Sequence, residues 1–300
     1  MKHLLSIESL ARAEILSILD LADRLKANRG REEAQPLRGQ CWGLVFSKSS
    51  TRTRVSFEVG VRELGGSAMF LSAVDIQLGR GEPIRDTARV MGRMLGGAII
   101  RTYAQQDVEE FAEFSGIPTV NALTDDEHPC QILADLQTIR EKLGSVEEMT
   151  VAFVGDGACN VPRSWIWAAA RLGFTLRIAA PKEFQPAADL LARAGGKISV
   201  TESVAEAAAG ADVLYTDVWV SMGKEEEAAH RLRAMANFCI DHEAVRQAKI
   251  GALVMHCLPA YRGKEITEEV FEANAQTIFD QAENRLHAQK AVLSLLARAD

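Results

Sequence analysis

The sequence predicts an α/β protein of two domains, each a mostly parallel sheet flanked by helices, and three observations carry that expectation. The chain has 300 residues, past the size at which a single hydrophobic core stops growing, so two cores of roughly 150 residues each are expected. Short apolar runs of strand length alternate with stretches of helical period, which is the rhythm of βα units. Several of those runs are apolar at consecutive positions, as strands buried on both faces of a parallel sheet are.

Residues 7–27 carry Leu10, Ile15, Ile18, Leu19, Leu21 and Leu25 with polar residues between them, the period of an amphipathic helix. Cys41–Phe46 (CWGLVF) reads as a buried strand, and residues 54–64 have helical spacing until Gly65 and Gly66 stop it. Residues 67–71, Gly97–Arg101 and the end of 118–121 read as further strands, with a helix over 85–95 and another over 129–142. The polar stretch 144–149 is the expected boundary. Beyond it, Thr150–Val154 reads as a strand, 155–160 as a loop and 162–172 as a helix. Strands are expected again at Thr175–Ala179, 198–200, 213–217, 238–240 and Leu253–His256, and a last helix over 283–298. The domains are therefore drawn at 1–145 and 146–280, with 281–300 as a C-terminal helix packing back on the first.

Hydrophobic residues make up 47% and charged residues 25%, and the formal net charge is -7. That balance argues against a nucleic-acid partner, which needs a basic face, so any phosphate site must be local. An acid, Glu8, interrupts the N-terminus before a signal-length apolar stretch forms, and no apolar run reaches the roughly 18 residues of a membrane span. A cytoplasmic location and no membrane partner are expected. The five cysteines are odd in number and lack a Cys-x-x-Cys pair, which suggests reduced thiols and no structural zinc. No two histidines have His-x-x-x-His spacing, and the adjacent His256 and Cys257 cannot alone make a tetrahedral site, so no metal is expected.

The most informative segment is Lys48-Ser49-Ser50-Thr51-Arg52-Thr53-Arg54, between an expected strand and an expected helix. A helix N-terminus offers unpaired N–H groups and the positive end of the dipole, so hydroxyls and an arginine there suit a phosphate. Taken alone it also fits a Ser/Thr cap with solvated basic residues. Arg101 ends an apolar run, where a strand would carry it to the carboxyl edge of a sheet; a plain surface charge is the other reading. His128-Pro129-Cys130-Gln131 opens a helix, with Pro129 suited to its first turn, and equally describes a capped start with an exposed histidine.

In the second half, the loop Gly155-Asp156-Gly157-Ala158-Cys159-Asn160 invites a dinucleotide-binding reading. That reading fails because Asn160 stands where a third glycine is needed and the next strand ends without an acid for a ribose. Asp217, followed by Ser221-Met222-Gly223, places a carboxylate at a strand end where it can pair with an ammonium, or it is a capped loop beside Trp219. In His256-Cys257-Leu258-Pro259, Cys257 is either a nucleophile or a small buried hydrophobe.

The wording of residues 50–54 resembles the carbamoyl phosphate loop of the aspartate/ornithine carbamoyltransferase family. The resemblance continues through Asp75-Ile76-Gln77-Leu78-Gly79, residues 86–90, Arg101, His128 to Gln131, residues 217–223, residues 256–259 and Ala282-Glu283-Asn284-Arg285, essentially the whole chain. It implies a cofactor-free enzyme whose first domain binds carbamoyl phosphate and whose second binds the acceptor, with reaction in the cleft. Ser50, Thr51, Arg52 and Thr53 are implied to hold the phosphate, with Arg285 on the same side. Gln77 is implied to reach a site completed across a subunit boundary, so a homotrimer is expected.

By the same resemblance Thr53, Arg101 and His128 meet the carbonyl oxygen, where charge grows in the transition state. Pro129, Cys130 and Gln131 follow them at the carbamoyl group, and Cys257 and Leu258 complete the carbamoyl phosphate site while presenting groups toward the incoming amine. Cys257 counts among the catalytic residues with Thr53, Arg101 and His128. Asn160, Asp217, Ser221 and Met222 are implied to bind L-ornithine, because Ser-Met-Gly resembles members that use ornithine, whereas members that use aspartate have an arginine-bearing segment. The implied reaction yields L-citrulline, in arginine biosynthesis or its catabolic counterpart. Cys159 departs from the pattern, where ornithine-using members commonly have asparagine. A modified ornithine or putrescine as acceptor, and a non-catalytic binding protein, are the alternatives.

Overall fold

In the computed structural model, residues 1–31, 34–72, 81–220 and 225–297 are described. The chain forms two compact units, Met1–Gln137 together with the chain from Glu283 onward, and Thr138–Ala282. The first holds α1 (Arg12–Ala27), β1 (Cys41–Phe46), α2 (Thr51–Glu63), β2 (Ser67–Ser72), α3 (Ile84–Met91), β3 (Gly97–Arg101), α4 (Gln105–Ser115) and β4 (Thr119–Leu123). Helix α5 (Pro129–Leu143) carries the chain into the second unit. There follow β5 (Thr150–Val154), α6 (Asn160–Leu172), β6 (Thr175–Ala179), α7 (Ala188–Ala194), β7 (Lys197–Thr201), α8 (Val204–Ala208) and β8 (Val213–Thr216). Then come α9 (Ala228–Met235), α10 (His242–Gln247), β9 (Leu253–His256), α11 (Glu268–Ala273) and α12 (Ala275–Leu296), which returns to the first unit.

Both sheets are parallel, with strand orders β2-β1-β3-β4 and β7-β6-β5-β8-β9. In each, the first strand in sequence lies inside and later strands are added on both sides. The order therefore reverses between β1 and β3, and again between β5 and β8. Loops leaving such neighbouring strands part in opposite directions and open a crevice at the carboxyl edge, where α/β proteins bind ligands. Central strands β1, β3 and β5 are buried along nearly their whole length, which accounts for their unbroken apolar runs.

Several sequence expectations shift. Helix α1 starts at Arg12 rather than residue 7, because Ser6 Oγ accepts the Ser9 N–H at 3.0 Å and the Glu14 carboxylate accepts the Ala11 N–H at 2.9 Å, ending a turn where the helix begins. Helix α2 starts three residues earlier than the expected 54, at Thr51. The apolar spacing drew no attention to α4, although Val108, Phe111, Ala112 and Ser115 form its buried stripe. The strand expected at 238–240 does not form. Ile240 makes an isolated bridge to Ile266, and Asp241 then caps α10 through the Ala244 N–H at 2.9 Å, turning the chain into a helix. The last helix begins at Ala275 rather than 283, since no proline or glycine interrupts the intervening turns.

Among the described residues no helix is long and apolar enough to cross a membrane. Residues 75–79, singled out by the resemblance above, lie outside the described residues.

Gly92 ends α3 where the chain meets α4: a Cβ there would lie 1.8 Å from the Ser115 carbonyl oxygen, a backbone atom that cannot rotate away. Gly92→Ala is expected to destabilise the first unit by about 1–3 kcal/mol or more through overpacking. Chemical denaturation checks this, and an unchanged midpoint would show that the two helices part freely.

Candidate functional site

In the first unit the phosphate-like loop becomes the start of α2. Ser50 is its N-cap, and its Oγ accepts the Thr53 N–H at 3.3 Å while its hydroxyl donates to Thr53 Oγ1 at 3.0 Å. Thr51 and Arg52 are exposed, Thr53 is buried, and Arg52 has no hydrogen bond or ion pair among the described residues. The first-turn N–H groups and a free guanidinium thus remain available to an anion.

Four other sequence-expected residues collect around this helix end. Arg285, from α12, donates through Nη1 to Gln131 Oε1 at 2.7 Å and through Nη2 to Thr53 Oγ1 at 3.2 Å. Gln131 gives one N–H to Asp135 Oδ1 at 2.8 Å, which leaves its second N–H for a ligand. Arg101 ends β3 at the carboxyl edge and is 4% exposed. His128 precedes Pro129, the first residue of α5, and its carbonyl accepts the Gln131 N–H at 3.0 Å. Burial first, then the cations of Arg285 and Arg101, hold the His128 ring well below its ordinary value of 6.5, so it stays neutral at physiological pH. Cys130 turns into the core: its thiol donates to the Asn121 carbonyl at 3.3 Å and burial pushes it up to about 12. Its backbone is what remains to meet a ligand. Gln77 lies outside the described residues.

In the second unit the site residues follow three adjacent strands. Asn160 opens α6 after β5, Asp217 follows β8, and Cys257 and Leu258 follow β9. The end of β8 is pinned by Thr216, whose hydroxyl donates to the Val154 carbonyl at 2.7 Å, and the loop beyond by the Trp219 indole N–H to the Phe238 carbonyl at 3.2 Å. Asp217 is 8% exposed; it accepts the Val218 N–H at 2.7 Å and the Cys257 thiol at 2.9 Å through Oδ1. Burial raises its carboxyl above the ordinary range, with the His256 ring, the Cys257 thiol and the Val218 N–H acting against that rise. A carboxylate held this way gains from an ammonium partner. The Cys159 thiol, which donates to the Asp156 carbonyl at 3.2 Å, is pushed up by burial and by the carboxylates of Asp156 and Asp217, so it is a thiol rather than a thiolate. Ser221 and Met222 lie outside the described residues.

Asp217, His256 and Cys257 bring three ligand atoms within 4.8 Å of one another. They do not fit a metal as arranged. His256 Nδ1 accepts the Leu258 N–H at 2.8 Å, which puts the ring proton on Nε2, facing Glu265 Oε1 at 3.2 Å. Both ring nitrogens are already engaged.

Residues 2–141 match the family model described as aspartate/ornithine carbamoyltransferase, carbamoyl-P binding domain, and residues 147–296 match the one described as the Asp/Orn binding domain of the same family. The chain belongs to the aspartate/ornithine carbamoyltransferase family. Among relatives in that family, a protein of Akkermansia muciniphila named ornithine carbamoyltransferase is 60% identical over 302 residues, covering 100% of this chain and 99% of its own. One of Campylobacter fetus with the same name is 49% identical, covering 98% of this chain and 97% of its own. The solved ornithine carbamoyltransferase of Pyrococcus furiosus superposes with a TM-score of 0.93 at 41% identity, covering 100% of this chain and 98% of its own. The fold expected from sequence, paired parallel sheets flanked by helices, is thus that of the family's solved members.

Sequence reasoning missed the residues that hold the site residues in place. Asp135 lies four positions after Gln131 on α5, a spacing that places two side chains on one helical face and was therefore legible. Glu265 and Gln281, which accept from the His256 ring and from the His256 N–H at 2.9 Å, had no local signal. Arg231 was missed as well. It pairs with Asp156 at 2.6 Å, both groups being nearly buried, and anchors the loop that ends in Asn160.

The neutral His128 has a consequence for stability. The unfolded chain takes up a proton near the ordinary value of 6.5 while the folded chain does not, so acid favours unfolding. The contribution is complete above that value and shrinks as pH falls below it. His3 and His287, also lowered chiefly by burial, act in the same direction. The denaturation midpoint is therefore expected to fall between about pH 7 and about pH 5.5, and His128→Asn to flatten part of that slope. Identical slopes for the two proteins would mean that His128 titrates in the folded chain as it does in the unfolded one.

Proposed function

We propose that the protein transfers the carbamoyl group of carbamoyl phosphate to the δ-amine of L-ornithine, giving L-citrulline and phosphate. The observation that carries this reading is the cluster of Thr53, Gln131, Arg285, His128 and Arg101 at the Ser50-capped end of α2. It gathers cations and oriented donors at one point of a chain whose net charge is -7. Ornithine as acceptor is supported by the names of full-length relatives and by the buried Asp217 carboxylate.

In this mechanism the phosphate lies against the first turn of α2, met by Ser50, Thr51, Arg52 and Thr53. The carbonyl oxygen lies among Thr53, Arg101 and the neutral His128, and Gln131 turns its free N–H and carbonyl to the carbamoyl NH2 group. Pro129 and the Cys130 backbone form the wall beside it. In the second unit Asn160 receives the amino-acid end of ornithine, and Ser221 and Met222 cover it. Asp217, the Cys257 thiol and the Leu258 carbonyl direct the δ-amine.

The amine lone pair forms the new C–N bond, the carbonyl electrons move onto oxygen, and the collapsing tetrahedral intermediate breaks the C–O bond to phosphate. The amine's surplus proton leaves to phosphate or solvent. Thr53, Arg101 and His128 act where oxyanion charge develops, and each such donor is worth about 3 kcal/mol in comparable sites. Holding two substrates for attack contributes further, on the order of 7–11 kcal/mol. Gln77 from a neighbouring copy completes the phosphate site, so the working assembly is a homotrimer, placed in the cytoplasm and in arginine metabolism.

A steady-state assay of the purified protein tests the reading. Citrulline forms from ornithine and carbamoyl phosphate, and Arg101→Ala lowers kcat by about a hundredfold or more while the fold is retained. No turnover of ornithine, or preferred turnover of putrescine or an N-acylated ornithine, would replace the acceptor. Full activity of Arg101→Ala would remove that residue from the chemistry.

A further inference from the structure

The loop that delivers His128 begins with three acids, Asp125, Asp126 and Glu127, and their placement is unequal. Asp125 pairs with Lys48 at the end of β1. Glu127 is 3% exposed. Its carboxylate accepts backbone N–H groups from the far end of the chain: Ile7 at 2.8 Å through Oε2 and Glu8 at 3.4 Å through Oε1. Taking a carboxylate out of water is unfavourable unless hydrogen bonds to the charged form replace the lost hydration. Here part of that replacement comes from backbone N–H groups of the N-terminal segment.

That segment is itself fixed to the sheet. The Leu4 N–H donates to the Thr119 carbonyl at 2.9 Å, and the Asn121 N–H to the Leu4 carbonyl at 2.7 Å, so residues near the N-terminus extend the sheet beyond β4. The Leu5 carbonyl accepts from Asn121 Nδ2 at 2.9 Å and Gln105 Nε2 at 3.1 Å, and Leu4 and Ile7 are fully buried. On the loop side, the Thr124 N–H donates to the Glu127 carbonyl at 2.9 Å and the Glu127 N–H to Thr124 Oγ1 at 3.1 Å, closing a tight turn. The residue after that turn is His128, whose carbonyl starts α5 and with it Gln131.

We infer that Glu127 is a positioning residue for carbamoyl phosphate binding, clamping the turn before His128 to the N-terminal segment so that His128 and Gln131 face the ligand in one fixed geometry. Glu127 itself touches no substrate. A displacement of about 1 Å at a positioning group can lower turnover on the order of a hundredfold, and one carboxylate bridging two N–H groups is what holds this turn against such drift.

The inference rests on the proposed roles of His128 and Gln131, so the test separates the two. Full-length wild type, Glu127→Ala, Glu127→Gln and Glu127→Asp are compared by steady-state citrulline formation with each substrate varied in turn. Calorimetric titration with carbamoyl phosphate and amide exchange over residues 4–8 complete the set. Glu127→Ala is expected to lower kcat/KM for carbamoyl phosphate on the order of tenfold to a hundredfold, with the KM for ornithine within about twofold of wild type. Exchange at Ile7 accelerates in the same variant. Glu127→Gln recovers most of the loss, because its amide oxygen still accepts the Ile7 N–H.

Wild-type constants for carbamoyl phosphate in Glu127→Ala overturn the inference, as does a loss shared equally between the two substrates. If Glu127→Ala does not fold, Glu127→Asp decides: its shorter arm raises the KM for carbamoyl phosphate, and an unchanged KM overturns the inference. If wild type makes no citrulline, the acceptor assignment fails while the calorimetric comparison still decides the role of Glu127. A wild type that does not bind carbamoyl phosphate overturns both.

Discussion

A guanidinium withdrawn from water must find acceptors for its N–H groups, and Arg285 finds them on two other helices. Its contacts with Thr53 and Gln131 span 232 and 154 residues of sequence and join the last helix to the ends of α2 and α5. With its amide in the orientation that satisfies both its atoms, Gln289 adds acceptance from Arg285 Nε at 3.3 Å and a bond to Ser56 Oγ at 2.7 Å. Much else in the first unit depends on this. The same cation helps keep His128 neutral, turns the Gln131 carbonyl, and adds its charge to the helix end that Ser50 caps. An anion entering there meets groups already oriented, so little reorganisation is left for the moment of reaction.

The second unit reaches preorganisation by a different route. Its determinants are buried acceptors rather than a shared cation: Gln281 takes the His256 N–H, Glu265 faces the ring and also accepts the Tyr261 N–H at 2.6 Å, and the ring accepts the Leu258 N–H. These bonds hold Leu258 at a φ of +58°, a left-handed conformation that a branched side chain seldom adopts without such support. They also set the neighbouring Cys257 thiol on Asp217. Each unit thus fixes its polar groups before a ligand arrives, one around positive charge and one around negative, in keeping with an anionic donor and a cationic acceptor.

Most of the fold was legible because parallel strands buried on both faces leave unbroken apolar runs, as in Cys41–Phe46 and Thr150–Val154. Where reading failed, a local competitor had won. Ser6 and Glu14 delay the start of α1, and Asp241 captures the chain for α10 before residues 238–240 can pair as a strand. The site was legible where chemistry sits in contiguous wording, in residues 50–54, 128–131 and 256–259. The groups that hold those residues were less so, because Asp135, Glu265, Gln281 and Arg231 belong to helices or loops whose composition looks ordinary.

The sequence by itself determined most of the strand and helix repertoire, the capped helix end with its hydroxyls, and the family. These follow from short-range rules: side-chain period, capping, and residue types at fixed spacing. Only the tertiary structure decided that Arg285 completes the α2 site, that His256 has both ring nitrogens occupied, and that Glu127 reaches back to Ile7. Those facts concern groups separated by two to more than two hundred positions. What brings them together is the burial of charge, which obliges each buried ion to find a partner wherever the packed chain supplies one.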